Sequence, residues 1–124
     1  MISLNVMVVD DSAITVKKIA SLLNEQGHNV VATCSTGKQA LEQYPEIKPD
    51  VVTMDITMPD MNGIEATQGI IAGNPEALIL MVTSHGQKQM VLDAIKVGAK
   101  GFLLKPIQKD SLQSALEKIV DSFV

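Results

Sequence analysis

Four short apolar runs of this sequence each lead into side chains that could take part in one chemical reaction. The runs and the polar residues that follow them are Val6–Val9 with Asp10-Asp11, Val51–Met54 with Asp55, Leu78–Val82 with Thr83, and Gly101–Leu104 with Lys105. Carboxylates bind hard divalent cations, while a hydroxyl and an ammonium can hold the oxygens of a phosphoryl group. Together these residue types indicate a site that handles phosphoryl groups, provided that the fold brings the ends of the runs together.

The elements that must position these residues are strands that alternate with helices. Short unbroken apolar runs between helical segments are typical of buried parallel strands. Five such strand–helix units predict an α/β fold: a doubly wound, flavodoxin-like sheet of five parallel strands with helices on both faces. Right-handed crossovers leave few strand orders, and we expect the order 2-1-3-4-5 of flavodoxin-like sheets. The carboxyl ends of parallel strands share one edge, where ligands bind, so the reactive residues are predicted to converge.

Turn and capping residues set the limits of the other predicted elements. Pro45 is expected to end the second helix after Tyr44, because proline removes a helical hydrogen bond. His28, which follows Gly27 in a loop, is expected to be solvated, and Cys34 is expected to be buried at the end of the second strand. The sequence predicts a strand over Asn29–Cys34 and helices over Ala13–Gln26, over Gly37–Tyr44 after a Thr36 cap, from Asn62 towards Gly73, over Lys88–Val97 and over residues 109–122.

Composition narrows the class of protein. The length of 124 residues predicts one domain over residues 1–124, with no output domain. All ten basic residues are Lys, and the absence of Arg counts against specific nucleic-acid binding. No apolar run approaches the ~20 residues of a membrane span, and the first residues lack a signal-peptide layout. A single Cys excludes an internal disulfide and is typical of a cytoplasmic protein.

The acidic pair Asp10-Asp11 predicts a metal site at the end of the first strand. Adjacent carboxylates repel each other and raise each other's pKa, and a divalent cation relieves that repulsion. A site rich in oxygen atoms, with retained waters, suits Mg²⁺. Asp55 can complete the metal site or act as a nucleophile that forms an aspartyl phosphate. Thr83 and Lys105 are then expected to hold the phosphoryl oxygens.

Four motifs together resemble the receiver domain of two-component response regulators. In order, the motifs are Val8-Val9-Asp10-Asp11-Ser12, the segment from Met54-Asp55 through Met58-Pro59 to Asn62-Gly63, Thr83-Ser84, and Lys105-Pro106. Their order and spacing match the family over essentially the whole chain. Within the family the likeness is greatest to single-domain chemotaxis regulators, and the segments Asp55–Pro59 and Gly98–Pro106 carry it.

The resemblance implies roles for the residues around Asp55. Asp55 would be the phosphoacceptor, taking a phosphoryl group from a histidine kinase or a small acyl phosphate in a self-catalysed transfer, so the chain would not be an enzyme in the usual sense. Asp11 would ligate Mg²⁺ directly and Asp10 through water, with Asp55 and the backbone carbonyl of Thr57 completing the site. Lys105 would bind the phosphoryl group, and the Lys105-Pro106 peptide bond is expected to be cis.

The resemblance also implies how a signal would leave the site. Thr83 would be the switch hydroxyl, and Phe102 the aromatic residue whose rotamer follows it. Thr57 and His85, each two residues beyond a site residue, are expected to tune the lifetime of the phosphoryl group. The output face would consist of the fourth helix, the fifth strand and the fifth helix, with Lys88, Val91, Phe102 and Lys118 as candidate partner contacts.

Several functions remain as alternatives at this point. A separate downstream partner, such as the flagellar motor switch, is expected for a chemotaxis regulator, which we expect to be a monomer. A phosphorelay intermediate or phosphate sink would instead exchange phosphate with a histidine phosphotransferase. A receiver cut from a DNA-binding regulator is disfavoured because no linker follows. A phosphatase of the haloacid dehalogenase type is disfavoured because Thr57 stands where its second Asp would be.

Overall fold

The fold is a five-stranded parallel sheet between two layers of helices, as predicted. The computed structural model describes residues 3–84 and 86–123. Along the chain the elements are β1 (Asn5–Val9), α1 (Ala13–Glu25), β2 (Asn29–Cys34), α2 (Gly37–Ile47), β3 (Val51–Asp55), α3 (Gly63–Gly73), β4 (Ile79–Thr83), α4 (Lys88–Lys96), β5 (Gly101–Leu104) and α5 (Lys109–Phe123). All four strand pairs are parallel, and the strand order β2-β1-β3-β4-β5 confirms the expected topology.

Each face of the sheet carries its own apolar core. Residues of α2, α3 and α4, among them Tyr44 and Ile70, pack with one face of the sheet. Residues of α1 and α5, among them Leu23 and Leu116, pack with the other face. Every residue of β3 and β4 is buried because both faces are covered, which explains the unbroken apolar runs. Among the described residues, no helix has both the length and the apolar character that a membrane span requires.

Side-chain caps fix the starts of the three helices that follow β1, β2 and β3. The side-chain oxygens of Ser12, Thr36 and Asn62 each accept a hydrogen bond from the backbone N–H three residues further on, at 3.3, 3.0 and 2.9 Å. Each cap satisfies one N–H group that a helix start leaves without an intrahelical partner. The Thr36 and Asn62 caps confirm the predicted starts of α2 and α3. These caps also define where the loops at the carboxyl edge of the sheet end.

The predicted end of the second helix was wrong. Pro45 lies inside α2, which continues to Ile47 and is capped by Lys48 in the left-handed conformation (φ 49°). Proline fixes φ near the helical value, so close to the end of a helix it removes one hydrogen bond without forcing the helix to stop. The preceding residue, Tyr44, is buried in the core, and this contact anchors the last turns.

The prediction that His28 is solvated was also wrong. Only 3% of His28 is exposed, and its Nδ1 accepts a hydrogen bond of 3.0 Å from the backbone N–H of Leu4. The Leu4 carbonyl also accepts a hydrogen bond of 2.8 Å from the N–H of Asn29, so the residue before β1 is bound to both His28 and Asn29. Burial lowers the pKa of His28, so the ring is a neutral structural acceptor. Cys34 is buried, as predicted.

Gly63 fixes the path of the chain between β3 and α3. Its N–H donates a hydrogen bond of 2.7 Å to the carbonyl of Ile56, which closes the loop over residues 57–62. A Cβ atom at this position would collide with the backbone carbonyl of Asp55. Backbone cannot move aside as a flexible side chain can, so only glycine is compatible with this loop.

We predict that Gly63→Ala lowers the free energy of unfolding by more than about 3 kcal/mol, because the new methyl group displaces the main chain at Asp55. The matched control is Gly73→Ala in the same helix, where an added Cβ meets nothing within 4 Å. This control should be neutral or stabilising by up to ~1 kcal/mol. Urea unfolding of the three proteins measures the difference, and equal midpoints for Gly63→Ala and the wild type would contradict the close approach.

Candidate metal and phosphoryl site

Three carboxylates lie together at the carboxyl ends of two neighbouring strands. Asp10 and Asp11 directly follow β1, and Asp55 is the last residue of β3, the strand beside it. One carboxylate oxygen from each of the three lies within 4.8 Å of the other two. Asp10 and Asp55 are buried, whereas Asp11 is exposed at the mouth of the cluster. The structure thus brings together the acids that the sequence pattern predicted to converge.

Lys105 reaches this acidic cluster from the end of β5, the outermost strand on that side of the order. Its Nζ atom lies 2.8 Å from Oδ2 of Asp10 and 3.3 Å from Oδ1 of Asp55. Lys105 follows β5, which β4 separates from β3, so the long side chain spans the end of β4. Its backbone N–H donates a hydrogen bond of 2.8 Å to the carbonyl of Thr83, which fixes where that side chain starts. The bond to Pro106 is cis, as expected.

Thr83 occupies the gap between the strand that carries Asp55 and the strand that leads to Lys105. It is the last residue of β4 and only 1% exposed. In the register of β3 with β4, Asp55 lies opposite Val82, so Thr83 is one residue further towards the edge. The ends of β3, β4 and β5 therefore bring Asp55, Thr83 and Lys105 to one edge of the sheet.

Burial makes the carboxylate of Asp55 costly to ionise. Its pKa is raised to about 6, first by desolvation and then by repulsion from Asp10, with a smaller contribution from Asp11, while Lys105 opposes the rise. Desolvation lowers the pKa of Lys105, but the carboxylates of Asp10 and Asp55 raise it by more, so the lysine stays charged. One ammonium is too little positive charge for three carboxylates.

The donor set of this cluster fits a hard divalent cation. All three candidate ligands are carboxylates, and oxygen ligands of this kind are those that Mg²⁺ prefers. Oδ1 of Asp10 accepts a hydrogen bond of 2.9 Å from the backbone N–H of Ser12. The buried Oδ2 has the charge of Lys105 nearby, but none of the described residues gives it a well-formed hydrogen bond. A cation would satisfy that oxygen and relieve the repulsion that raises the pKa of Asp55. Asp10, Asp11 and Asp55 are therefore the residues that would hold Mg²⁺.

The structure describes all but one of the other predicted residues. Thr57 is exposed in the loop after β3, and His85 lies outside the described residues. Phe102 is half-buried on β5, opposite Met81 of β4, and packs against the core beneath α4. Of the candidate partner contacts on the helices, Lys88 of α4 and Lys118 of α5 are exposed and Val91 of α4 is half-buried.

Sequence reasoning missed exposed apolar residues on α4 and β5. Leu92, Ile95 and Leu104 are 50%, 57% and 55% exposed. Leu104 ends an apolar run and was expected to be buried, but β5 is an edge strand with no strand beyond it. Leu92 could have been found from helical spacing, because it lies on the side of α4 opposite to the buried Ala94. Exposed apolar residues on neighbouring elements mark a candidate surface for a protein partner.

Comparisons with known proteins agree with this site. Residues 6–117 match the family described as the response regulator receiver domain. The chain is 43% identical over 114 residues to the chemotaxis protein CheY of Thermotoga maritima, covering 92% of this chain and 95% of that protein. It is 44% identical over 116 residues to the chemotaxis protein CheY of Bacillus subtilis, covering 94% of this chain and 97% of that protein.

A solved structure has the same fold. The crystal structure of the CheX-CheY-BeF3-Mg complex from Borrelia burgdorferi contains a chain that superimposes with a TM-score of 0.91 at 33% identity, covering 94% of this chain and 88% of that chain. The sequence match covers nearly the whole chain, and identities of 43% and 44% indicate a relationship in sequence as well as in fold. The chain therefore belongs to the response regulator receiver domain family.

Proposed function

We propose that this chain acts as a single-domain response regulator of chemotaxis, in the cytoplasm, and that a histidine kinase phosphorylates it on Asp55. The observation that carries the proposal is the position of Asp55: a buried carboxylate that faces Asp10, Asp11 and one ammonium. Members of this family are regulators rather than classical enzymes. The relatives that are called chemotaxis proteins support the pathway.

In the proposed reaction, a carboxylate oxygen of Asp55 attacks the phosphorus atom of the donor. The bond from phosphorus to the donor's histidine nitrogen breaks, and an acyl phosphate forms on Asp55. Lys105 already lies 3.3 Å from Asp55 Oδ1 and supplies positive charge for the phosphoryl oxygens. The Thr83 hydroxyl donates a hydrogen bond to one of them. Asp11, Asp55 and the backbone carbonyl of Thr57, with Asp10 through water, would hold Mg²⁺, which would supply charge neutralisation in the same place.

The phosphoryl group leaves when water attacks it, and the residues at the mouth of the site control access. Thr57 is exposed in the loop next to Asp55, so its side chain can border the path of that water. His85 is the second residue to which we assign this role. Both residues affect how the attacking water reaches the phosphoryl group and how it is oriented there. Neither residue is assigned the role of a general base.

The signal is proposed to leave through α4, β5 and α5. Thr83 ends β4 beside β5, and Phe102 on β5 packs against the core beneath α4. When the Thr83 hydroxyl moves towards a phosphoryl group, Phe102 turns into the space that it leaves. The exposed Leu92, Ile95 and Leu104 then form the apolar part of a partner surface, with Lys88, Val91 and Lys118 around it. The partner is a separate protein, such as the flagellar motor switch.

A phosphorelay intermediate or phosphate sink would use the same chemistry at Asp55 but would return the phosphoryl group to a histidine phosphotransferase. Ile14, at the start of α1 and three residues from Asp11, is 82% exposed. An apolar residue so exposed beside the site would suit a protein that docks over Asp55. A histidine kinase would dock in the same place, so the exposed Ile14 does not distinguish the two functions. Chemotaxis remains the favoured function because the similar proteins are chemotaxis proteins. The phosphatase alternative does not fit a member of the receiver family.

We predict that acetyl phosphate adds one phosphoryl group to the wild type in the presence of Mg²⁺, and that chelation abolishes the addition. Asp55→Asn should remain unlabelled, because the amide is a poor nucleophile. Intact-mass spectrometry measures the product, and Asp50→Asn is the matched control, since Asp50 is an exposed carboxylate outside the site. Labelling of Asp55→Asn at the wild-type level, or labelling that persists without Mg²⁺, would contradict the assignment.

A second prediction concerns the switch. Beryllofluoride, a mimic of the phosphoryl group, should shift the NMR signals of α4 and β5 in the wild type, and these shifts should be largely lost in Thr83→Ala because the hydroxyl that couples them is absent. A coupling of about 1–3 kcal/mol corresponds to a population change of roughly 5–150-fold. Thr53→Ala, which removes a buried hydroxyl from the middle of β3, is the control. Equal shifts in Thr83→Ala and the wild type would show that the hydroxyl does not carry the signal.

A further inference from the structure

The loop over residues 57–62 is tied to the start of α2 by a carboxylate. Oδ1 of Asp60 accepts a hydrogen bond of 3.2 Å from the backbone N–H of Gly37, and Oδ2 accepts one of 3.1 Å from that of Lys38. The third N–H of the helix, that of Gln39, donates to the Thr36 hydroxyl. The first N–H groups of a helix have no intrahelical partner and favour a negative charge. Asp60 therefore caps a helix that begins more than twenty residues earlier in the chain.

A second contact shows that the loop and the helix touch through their backbones. A Cβ atom at Gly37 would lie 2.7 Å from the carbonyl oxygen of Met61 and 3.1 Å from its Cβ. Gly37 is buried, although it begins a helix at the edge of the sheet. The absence of a side chain at residue 37 thus allows the loop to approach close enough for Asp60 to bind both N–H groups.

The carboxylate of Asp60 is held in its charged form by the main chain. Desolvation raises the pKa of Asp60, but the hydrogen bonds from the backbone N–H groups of Lys38, Met61, Gly37 and its own residue together lower it below its ordinary value. No ammonium is needed for this tie, so it does not depend on a flexible side chain. The tie is therefore present at neutral pH.

Two ties define the position of the loop. At its base, the Gly63 N–H bonds to the carbonyl of Ile56. At its outer part, Asp60 binds α2. Thr57 lies between these two ties, directly after the segment that leads out of Asp55. The next residue, Met58, is buried in the core. Without the Asp60 tie the loop would keep its base contact and this apolar contact, but it would lose its attachment to α2.

We propose that Asp60 is a positioning residue for the phosphorylation site: by tying the loop to α2, it holds the segment that carries the Thr57 carbonyl in place beside Asp55. The inference rests on the proposed function, in which that carbonyl completes the Mg²⁺ site. Asp60 itself touches neither the metal nor the phosphoryl group. Groups that orient the ligands of a metal typically change its affinity by 10–100-fold when they are removed.

The competing explanation is that Asp60 only stabilises α2. Thr36 provides a matched comparison, because it caps the same helix through one hydrogen bond and makes none with the loop among the described residues. Thr36→Ala and Asp60→Ala should both lower the melting temperature. Only Asp60→Ala releases the loop.

The test measures Mg²⁺ affinity by isothermal titration calorimetry in the wild type, Asp60→Ala, Asp60→Asn and Thr36→Ala. We expect Asp60→Ala to weaken Mg²⁺ binding about 10-fold. Asp60→Asn keeps one acceptor oxygen, so its Mg²⁺ affinity should lie between those of Asp60→Ala and the wild type. It also provides a folded variant if the alanine variant is too unstable. Thr36→Ala should bind Mg²⁺ as the wild type does. Amide hydrogen exchange at Gly37 and Lys38 should accelerate in Asp60→Ala.

Two results would overturn the inference while leaving the proposed function intact. One is wild-type Mg²⁺ affinity in both Asp60 variants; the other is an equal loss of affinity in Thr36→Ala and Asp60→Ala, which would assign the effect to helix stability. Asp11→Asn serves as the reference for loss of the metal site. If the wild type does not bind Mg²⁺, or binds it no more tightly than Asp11→Asn does, the proposed function fails together with the inference.

Discussion

The ion pairs of Lys105 with Asp10 and Asp55 are the interaction around which this molecule is organised. Two carboxylates and an ammonium are removed from water, and a third carboxylate lies within reach. Buried ion pairs are weak contributors to stability, because the cost of desolvation offsets much of the attraction. An arrangement with more carboxylates than cations is therefore difficult to explain by stability. It is readily explained if the site holds a divalent cation and, when the protein is phosphorylated, a phosphoryl group beside it.

The rest of the fold supplies the rigidity that this arrangement requires. The residues of β3 and β4 are buried throughout, and a core on each face of the sheet keeps the strand ends in register. Caps at Ser12, Thr36 and Asn62 then fix where each loop becomes a helix. The residues proposed for the switch, Thr83 and Phe102, lie on β4 and β5. The carboxylates that would hold a metal follow β1 and end β3, and both of these strands are paired on both edges.

Most of the fold and the central site could be predicted from the sequence, because parallel strands have a simple rule: whatever follows the last apolar residue lies at the shared edge. That rule placed Asp10, Asp55, Thr83 and Lys105 correctly. It says nothing about contacts between elements, so it could not show that the backbone N–H of Leu4 donates a hydrogen bond to His28. Local breaker rules also failed at Pro45, where a buried tyrosine outweighs the loss of a single hydrogen bond near the helix end.

Two of the features that sequence reasoning missed depend on which elements are neighbours in space. Leu104 is exposed because β5 has a partner on one side only, which its apolar run does not reveal. Asp60 lies inside a segment that was recognised as a motif, yet its partners on α2 are distant in the chain. Both residues carry proposals about function, one at the partner surface and one at the metal site.

The most direct test of the account is the titration of Asp55, followed through the NMR shift of its carboxyl carbon with and without Mg²⁺. Without the metal, burial and the neighbouring carboxylates should give a pKa of about 6 rather than the ordinary 3.8. Because the folded-state pKa is the higher one, the carboxyl group's contribution to stability is present below pH 3.8 and is lost as the pH rises through about 6. Mg²⁺ should lower the pKa of Asp55 to well below the value measured without the metal. A midpoint near 3.8 that Mg²⁺ does not change would contradict the claim that this buried acidic cluster is built for a cation.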